Sequence, residues 1–448
     1  MTSGLERLNL AAGQGDAMAQ HSLGVMHLVG RGVAQDDKRA AELFKLAADQ
    51  GIALAQYELG GMHREGRGVA QDDKRAAELY KLAADQGDAA AQCSLGVMHR
   101  EGRGVAQDDK RAAELFQLAA DQGDAAARYN LGAMRREGLG MAQDDKRAAA
   151  LFKLAADQGY ALAQYSLGVL HRDGRGVAQD FKRAAELFQL AADQGDAAAR
   201  LNLGAMYHDG CGVAQDEKRA AALFKLAADQ GIAPAQYELG VMHLVGRGVA
   251  QDDKRAAEWL KLAADQGIAL AQYELGGMHR DGRGVAQDDQ RAAVLYKLAA
   301  DLGNAAAQYA LARMHYDGRG VARDDKRAAA LFKLAADQGD AAAQCSLGVM
   351  HREGRGVAQD DKRAAALFKL AADQGNAAGQ YSLGFMHHDG RGVAQDAKRA
   401  AALFKLAADQ GYAAAQCELG AMHREGRGVA QDDKRAAALF KLAADQGY

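Results

Sequence analysis

Apolar and small residues follow a rhythm that returns every 36 positions. Over residues 36–50, Ala40, Leu43, Phe44 and Ala47 fall at i, i+3, i+4 and i+7, which is one face of a helix. Lys38, Arg39, Glu42 and Lys45 occupy the opposite side. Asp36 suits an N-cap, Asp37 places negative charge on the first turn, and Gly51 suits the left-handed residue that closes the far end. A shorter stripe of Ala19, Leu23 and Met26 predicts a companion helix from about Ala17 to Leu28, capped by Asp16. Ile52, Tyr160, Ile232, Ile268 and Tyr412 stand at that capping position in five repeats and cannot cap. Between the two helices lies Gly30-Arg31-Gly32-Val33-Ala34-Gln35, whose two glycines suit a helix C-cap followed by a tight turn.

The period closes without gaps. Starting at Gly15, the register returns at Gly51 and continues to Gly411, so residues 15–446 form twelve 36-residue repeats with no insertion or linker. Residues 1–14 read as a half-repeat cap, with Leu8 and Leu10 aligned on Phe44 and Leu46, and 447–448 are a stub. One helical pair cannot bury its apolar face alone; stacked pairs share a continuous core. The predicted fold is therefore all-α, an α/α superhelical solenoid of twelve helix-turn-helix units, elongated and curved. Nothing follows the last second helix, which predicts fraying or self-association at that end. The block HLVGRGVAQDDKRAAE near residue 27 returns near 243, so identity between repeats also records copying.

Composition narrows the function classes. A length of 448 residues exceeds the roughly 250–300 that one core supports, which fits an array. The net charge of −3 leaves no footprint for nucleic acid or anionic lipid. No apolar run approaches the ~20 residues of a membrane span, and the opening MTSGLERLNL lacks a basic-then-apolar leader. With four cysteines and no disulfide framework, a reducing, cytoplasmic compartment is expected. The one proline, Pro234, falls in a first turn, where its missing N–H costs little.

The skeleton Ala19, Leu23-Gly24, Gly30, Gly32-Val33, Asp36, Ala40 and Ala47-Ala48 resembles the Sel-1-like repeat family, relatives of the tetratricopeptide repeat. It recurs in every repeat with few lapses, among them Gly379, Ala312 and Met141. The chain departs from the family in carrying His where Tyr is common, at the position of His27, and Leu43-Phe44 where Trp-Tyr is common; Trp259 is its one tryptophan. The resemblance implies a non-catalytic scaffold or adaptor for protein–protein interaction. Some cysteine-rich bacterial relatives are described as β-lactamases or penicillin binders, which keeps a hydrolase as an alternative. No repeat here has paired cysteines, so that branch gains no support. A repeat product without a dedicated partner is the third possibility.

Apparent chemical motifs weaken under the period. His27, His63, His99, His171, His243, His279, His315, His351, His387 and His423 share one repeat position. Two imidazoles on one zinc must lie within about 4 Å, whereas stacked repeats separate them by about 8–10 Å. Packing is the better account. The GRGV turn follows a helix and lacks GK[ST], unlike a phosphate loop. No CxxC, GxSxG or HExxH occurs. No catalytic, cofactor or metal residue is therefore assigned, and no cofactor is expected.

The working surface is expected where copies disagree. In related solenoids the first helix lines the concave groove, and here its outward stripe should correspond to Met18, His21, Val25, Leu28 and Val29. At Leu28's position stand Arg64, Arg100, Arg172, Leu244, Arg280, Tyr316, Arg352 and His388; at Val25's position stand Arg313 and Phe385. Tyr57, Tyr129, Tyr165, Tyr237 and Tyr273 are either aromatic anchors for a partner or packing groups. An acidic row including Glu65, Asp281 and Glu353 beside the arginines makes a mixed-charge surface, which argues for a protein or peptide ligand, against nucleic acid and against direct membrane insertion.

Overall fold

Why each repeat becomes two helices is visible at its caps. In the computed structural model, which describes residues 2–447, the Asp16 carboxylate accepts the Ala19 amide at 2.7 Å and opens α2 (Ala17–Val29). Gly30 closes that helix at φ 69°. Asp36 accepts the Arg39 amide at 2.9 Å, so it is the cap and the second helix, α3, runs Asp37–Asp49. Where Ile52 or Tyr160 replaces the capping carboxylate, the first helix starts at the same place without a side-chain bond. Packing, not capping, therefore decides where these helices begin. In all, 25 helices are described, numbered in chain order: α1 (Thr2–Gly13), then alternating first and second helices to α25 (Asp433–Ala444). Within the described residues there is no strand. The fold is a helical-repeat solenoid. It divides into two compact units, residues 1–226 and 227–448.

Each second helix supplies the centre of its repeat's core. Phe44, Phe116, Phe152 and Phe188 are fully buried. The mid-helix glycine of the first helix makes room for the ring: a Cβ on Gly96 would lie 2.8 Å from Phe116 Cε1. Ala312 nevertheless fills this position in one repeat, fully buried beside a buried Phe332, so the ring tolerates a small shift.

Two ladders tie one repeat to the next. The second loop glycine rests on the preceding second helix, where a Cβ on Gly68 would lie 2.2 Å from Asp37 O. Beside it Arg67 reaches Asp37 at 3.0 Å, and Arg103–Asp73 and Arg283–Asp253 repeat that pairing at the same distance. These pairs are half-exposed, so each contributes at most about 1 kcal/mol; they fix register more than stability. In one junction both partners change together, to Phe181 and Cys211.

The second ladder is made of glutamines. Buried Gln56 donates to Ala48 O at 3.2 Å and accepts from Gln86 Nε2 at 2.7 Å. Gln20–Gln50, Gln92–Gln122 and Gln236–Gln266 repeat the arrangement. Arg128 and Arg200 keep the bond to the carbonyl eight residues back through Nε, each at 3.2 Å, but a guanidinium cannot accept from the next repeat's glutamine. Among the second-helix glutamines Leu302 is the one replacement, and it leaves Gln272 Oε1 buried without a partner. A buried unsatisfied acceptor costs about 1–3 kcal/mol. Leu302→Gln should therefore stabilise the protein by about 1–2 kcal/mol in a urea titration; an unchanged midpoint would show that the orphan carries no penalty.

At the N-terminal end Leu5, Leu8 and Ala11 of α1 pack against a cluster containing Ala19, Leu23 and Leu43. Leu10, aligned with Leu46, points outward instead, as Leu46 itself does. On α25, Phe440 is only half-buried and Ala437 and Ala444 are exposed, whereas Phe404 of the preceding second helix is fully buried. No helix lies on the far side of α25 among the described residues.

Candidate functional site: the outward stripe of the first helices

In most repeats the recurring histidine holds the loop, while Nδ1 of His99 and of His171 is buried without a partner. His27, His63, His243, His279 and His315 each place Nδ1 3.3 Å from a loop carbonyl seven residues on. A carbonyl only accepts, so Nδ1 carries the hydrogen. The Asp36 amide returns a bond to His27 O at 3.0 Å, closing the loop from both sides. Among the described residues no group of three His, Cys, Asp or Glu side chains is placed to hold a metal ion. Burial pushes the Cys93 thiol up to about 12, far from a thiolate at neutral pH.

The tyrosines of the stripe are half-buried and lean on rings of their own repeat. Tyr57 meets Tyr80, and Tyr273 meets Tyr296, both at 5.7 Å between centroids. Tyr165 meets Phe188 at 5.8 Å. Tyr129 touches both Phe152 and Tyr160 of the following repeat, and Tyr237 packs beside the Leu260 cluster. Each therefore packs on one side while keeping part of its surface outward.

The arginines are neutralised next door. Arg64 pairs with Glu65 at 2.9 Å, Arg172 with Asp173 at 2.7 Å, Arg280 with Asp281 at 2.8 Å and Arg352 with Glu353 at 3.2 Å. Arg100 also reaches Asn130 of the next repeat at 3.0 Å. Leu244 packs into the Leu260 cluster, leaving Val245 as the exposed apolar residue beside it. Phe385 lies against Tyr381, and His388 Nδ1 lies 2.7 Å from Asp389.

Some of the variation along the stripe is architectural. Gly61 and Gly277 occupy Val25's position only where the second helix carries Tyr80 or Tyr296 in place of Phe, and each phenol oxygen lies 3.6 Å from where a Cβ would stand. The glycine admits the hydroxyl; it does not report a partner. Burial pushes Tyr80 and Tyr296 up to about 12. Their folded values exceed the unfolded value near 10, so the contribution is fully present below about pH 10 and is lost as pH rises toward 12. Each accounts for about 2–3 kcal/mol of that alkaline loss. Tyr80→Phe with Tyr296→Phe should flatten the fall between those values, followed by circular dichroism; an unaltered profile would refute the assignment.

Arg313 remains after that sorting. It is the one charged residue at Val25's position and is exposed, unlike the other proposed groove residues, which are half-buried. Two cavities share it. One of about 420 Å³ is lined by Tyr273, Arg280, Tyr309 and Arg319 as well; the other, about 250 Å³, adds Tyr316, Phe332 and Val349. Tyr316 is fixed under Arg355, whose guanidinium carbon stands 3.9 Å from the ring centre.

Geometry of this kind, a stack of helix pairs with shallow side-chain-lined clefts and no strand among the described residues, defines an α-helical repeat solenoid. Twelve consecutive segments, from 17–52 to 413–448, match the Sel1 repeat. The chain belongs to the Sel1 repeat family. Its fold is similar to that of a protective antigen of uropathogenic Escherichia coli displaying an SLR fold (TM-score 0.83, 33% identity, 98% of this chain and 94% of that one covered). It is also similar to a Sel1 repeat protein from Oxalobacter formigenes (TM-score 0.51, 32% identity, 69% of this chain and 89% of that one). No curated protein matches the sequence. Among the described residues no helix is long and apolar enough to cross a membrane.

Proposed function

We propose that the chain is a non-catalytic scaffold that holds an extended segment of a partner protein along the outward stripe of its first helices. The engaged stretch centres on Arg313 of α18 (Ala305–Asp317) and extends to α20 (Ala341–Glu353). The observation that carries this reading is the pair of adjoining cavities sharing Arg313. One is walled by arginines and tyrosines and the other by Tyr316, Phe332 and Val349, a combination of aromatic and arginine anchors typical of binding hot spots. Paired charges along the stripe favour a protein partner over nucleic acid, which requires unpaired positive charge.

A photoreactive residue in place of Val349, introduced into the full chain in its native cell, tests the reading. A discrete protein adduct should form, and Arg313→Glu should reduce it at least tenfold while circular dichroism stays unchanged. An adduct indifferent to Arg313 would sink the proposal. The hydrolase alternative would instead show turnover of a β-lactam with a covalent mass shift on the chain.

A further inference from the structure

Residues 267–349, which wall the two Arg313 cavities, align without a gap on residues 51–133, six repeats earlier. The chain thus carries its own reference for each wall. In the larger cavity Arg280, Asp281, Asp317 and Arg319 answer to Arg64, Glu65, Glu101 and Arg103, charge for charge. Arg313, however, stands where the earlier copy has Val97, so this cavity holds one guanidinium more than its counterpart. Arg313 donates to Asp317 at 3.3 Å and to the Tyr309 hydroxyl, which leaves most of its five N–H donors to a ligand.

The smaller cavity has changed in the opposite sense. Tyr316 stands where the earlier copy has Arg100, whose guanidinium bonds Asn130 at 3.0 Å. Asn130 itself gives way to Ser346, and Ala133 to Val349. A cation and its amide partner are therefore replaced by a wall of Tyr316, Phe332 and Val349. Across one turn of α18 an arginine and an apolar residue have exchanged for an aromatic and an arginine. The two adjoining cavities now differ in kind, one with added positive charge and one without charge apart from the shared Arg313.

We infer that the occupant is an acidic peptide segment with an aliphatic or aromatic residue close to its carboxylate. The inference rests on the scaffold reading above and names the chemistry of its partner. An Asp or Glu side chain lies against Arg313 in the larger cavity, where a guanidinium can offer a carboxylate two parallel N–H bonds. A Leu, Ile, Met or Phe side chain fills the smaller one against Tyr316 and Val349. In an extended chain side chains i and i+2 share a face about 6.5 Å apart, a separation suited to two cavities that share one wall residue. A phosphate backbone is matched less well. Arg280 is already bridged to Asp281 at 2.8 Å and Arg319 to Asp289 at 3.0 Å, so a nucleic acid would meet these carboxylates with its repeated charge.

Selection of a displayed library of random peptides, about ten residues long, on the full chain tests the inference. The wild type should enrich Asp or Glu two positions from Leu, Ile, Met or Phe. Arg313→Val, the residue the earlier copy carries, should remove the acidic preference and keep the apolar one; Tyr316→Arg should do the reverse. A synthetic peptide from the enriched set, followed by fluorescence anisotropy, should bind about tenfold more weakly once its acidic residue is changed to the amide. On the Arg313→Val chain that change should have little further effect, because both substitutions remove one contact. An acidic preference that survives Arg313→Val would overturn the inference. So would a library without acidic enrichment, or Arg313-dependent displacement of the peptide by a single-stranded oligonucleotide. A Val349 adduct that depends on Arg313, found together with a library lacking acidic preference, would sink this inference and spare the scaffold reading.

Discussion

Gly104→Ala should destabilise the array by about 3–5 kcal/mol, whereas Gly87→Ala should cost about 1–2 kcal/mol. Both glycines adopt the left-handed region, at φ 70° and 90°, so the backbone strain of adding a side chain is shared. They differ in what a Cβ would meet. At Gly104 it would lie 2.1 Å from Asp73 O, a main-chain atom in the first turn of the preceding second helix. At Gly87 it would meet nothing within 4 Å. Relief at Gly104 demands that the loop lift from its neighbour, opening the junction and loosening the Arg103–Asp73 pair with it. Long arrays need not unfold in one step, so urea titration is best joined to hydrogen exchange that locates the opened repeats. Equal losses for the two variants would mean that the junction is not closely packed.

Phe188→Ala should cost about 3–5 kcal/mol and Phe440→Ala less than about 2 kcal/mol. Phe188 is fully buried between Gly168 and Tyr165, with no space for collapse after truncation. Phe440 is half-buried on α25, so much of its ring already meets water. Thermal melts of the two variants read the difference directly, and a Phe440 variant as unstable as the Phe188 one would show that α25 is covered in solution.

The fold was legible because its determinants are local and copied. Ala40, Leu43, Phe44 and Ala47 announce a helix on their own, and twelve returns of Gly30 and Gly32 leave no other place for the loops. What joins the repeats was not legible. Gln20 and Gln50 recur in nearly every copy, yet their bond spans 30 residues and nothing in a helical pattern pairs them. Asp37 reads as a dipole-compensating residue, and only the stacked geometry shows it waiting for Arg67. Constancy at a thirty-residue offset was the available signal.

The site was legible only in part. Variation along the first helices singled out the outward stripe, but variation has two causes. Gly61 changes because Tyr80 changes, a compensation between two helices that a single-position comparison hides. Arg313 and Tyr316 have no such counterpart; Arg313 lines both cavities and Tyr316 one of them. Leu46 sits among core-like residues in the pattern, yet it keeps 49% of its surface in water, which the period alone does not show.

Hydrogen exchange on the full chain, alone and with the protein captured at Val349, tests the central claim most directly. Binding along the first-helix stripe predicts added protection in α18 and α20, at residues 305–317 and 341–353, with no change in α3 (Asp37–Asp49) or α5 (Asp73–Asp85). Protection confined to second helices, or none anywhere, would contradict it.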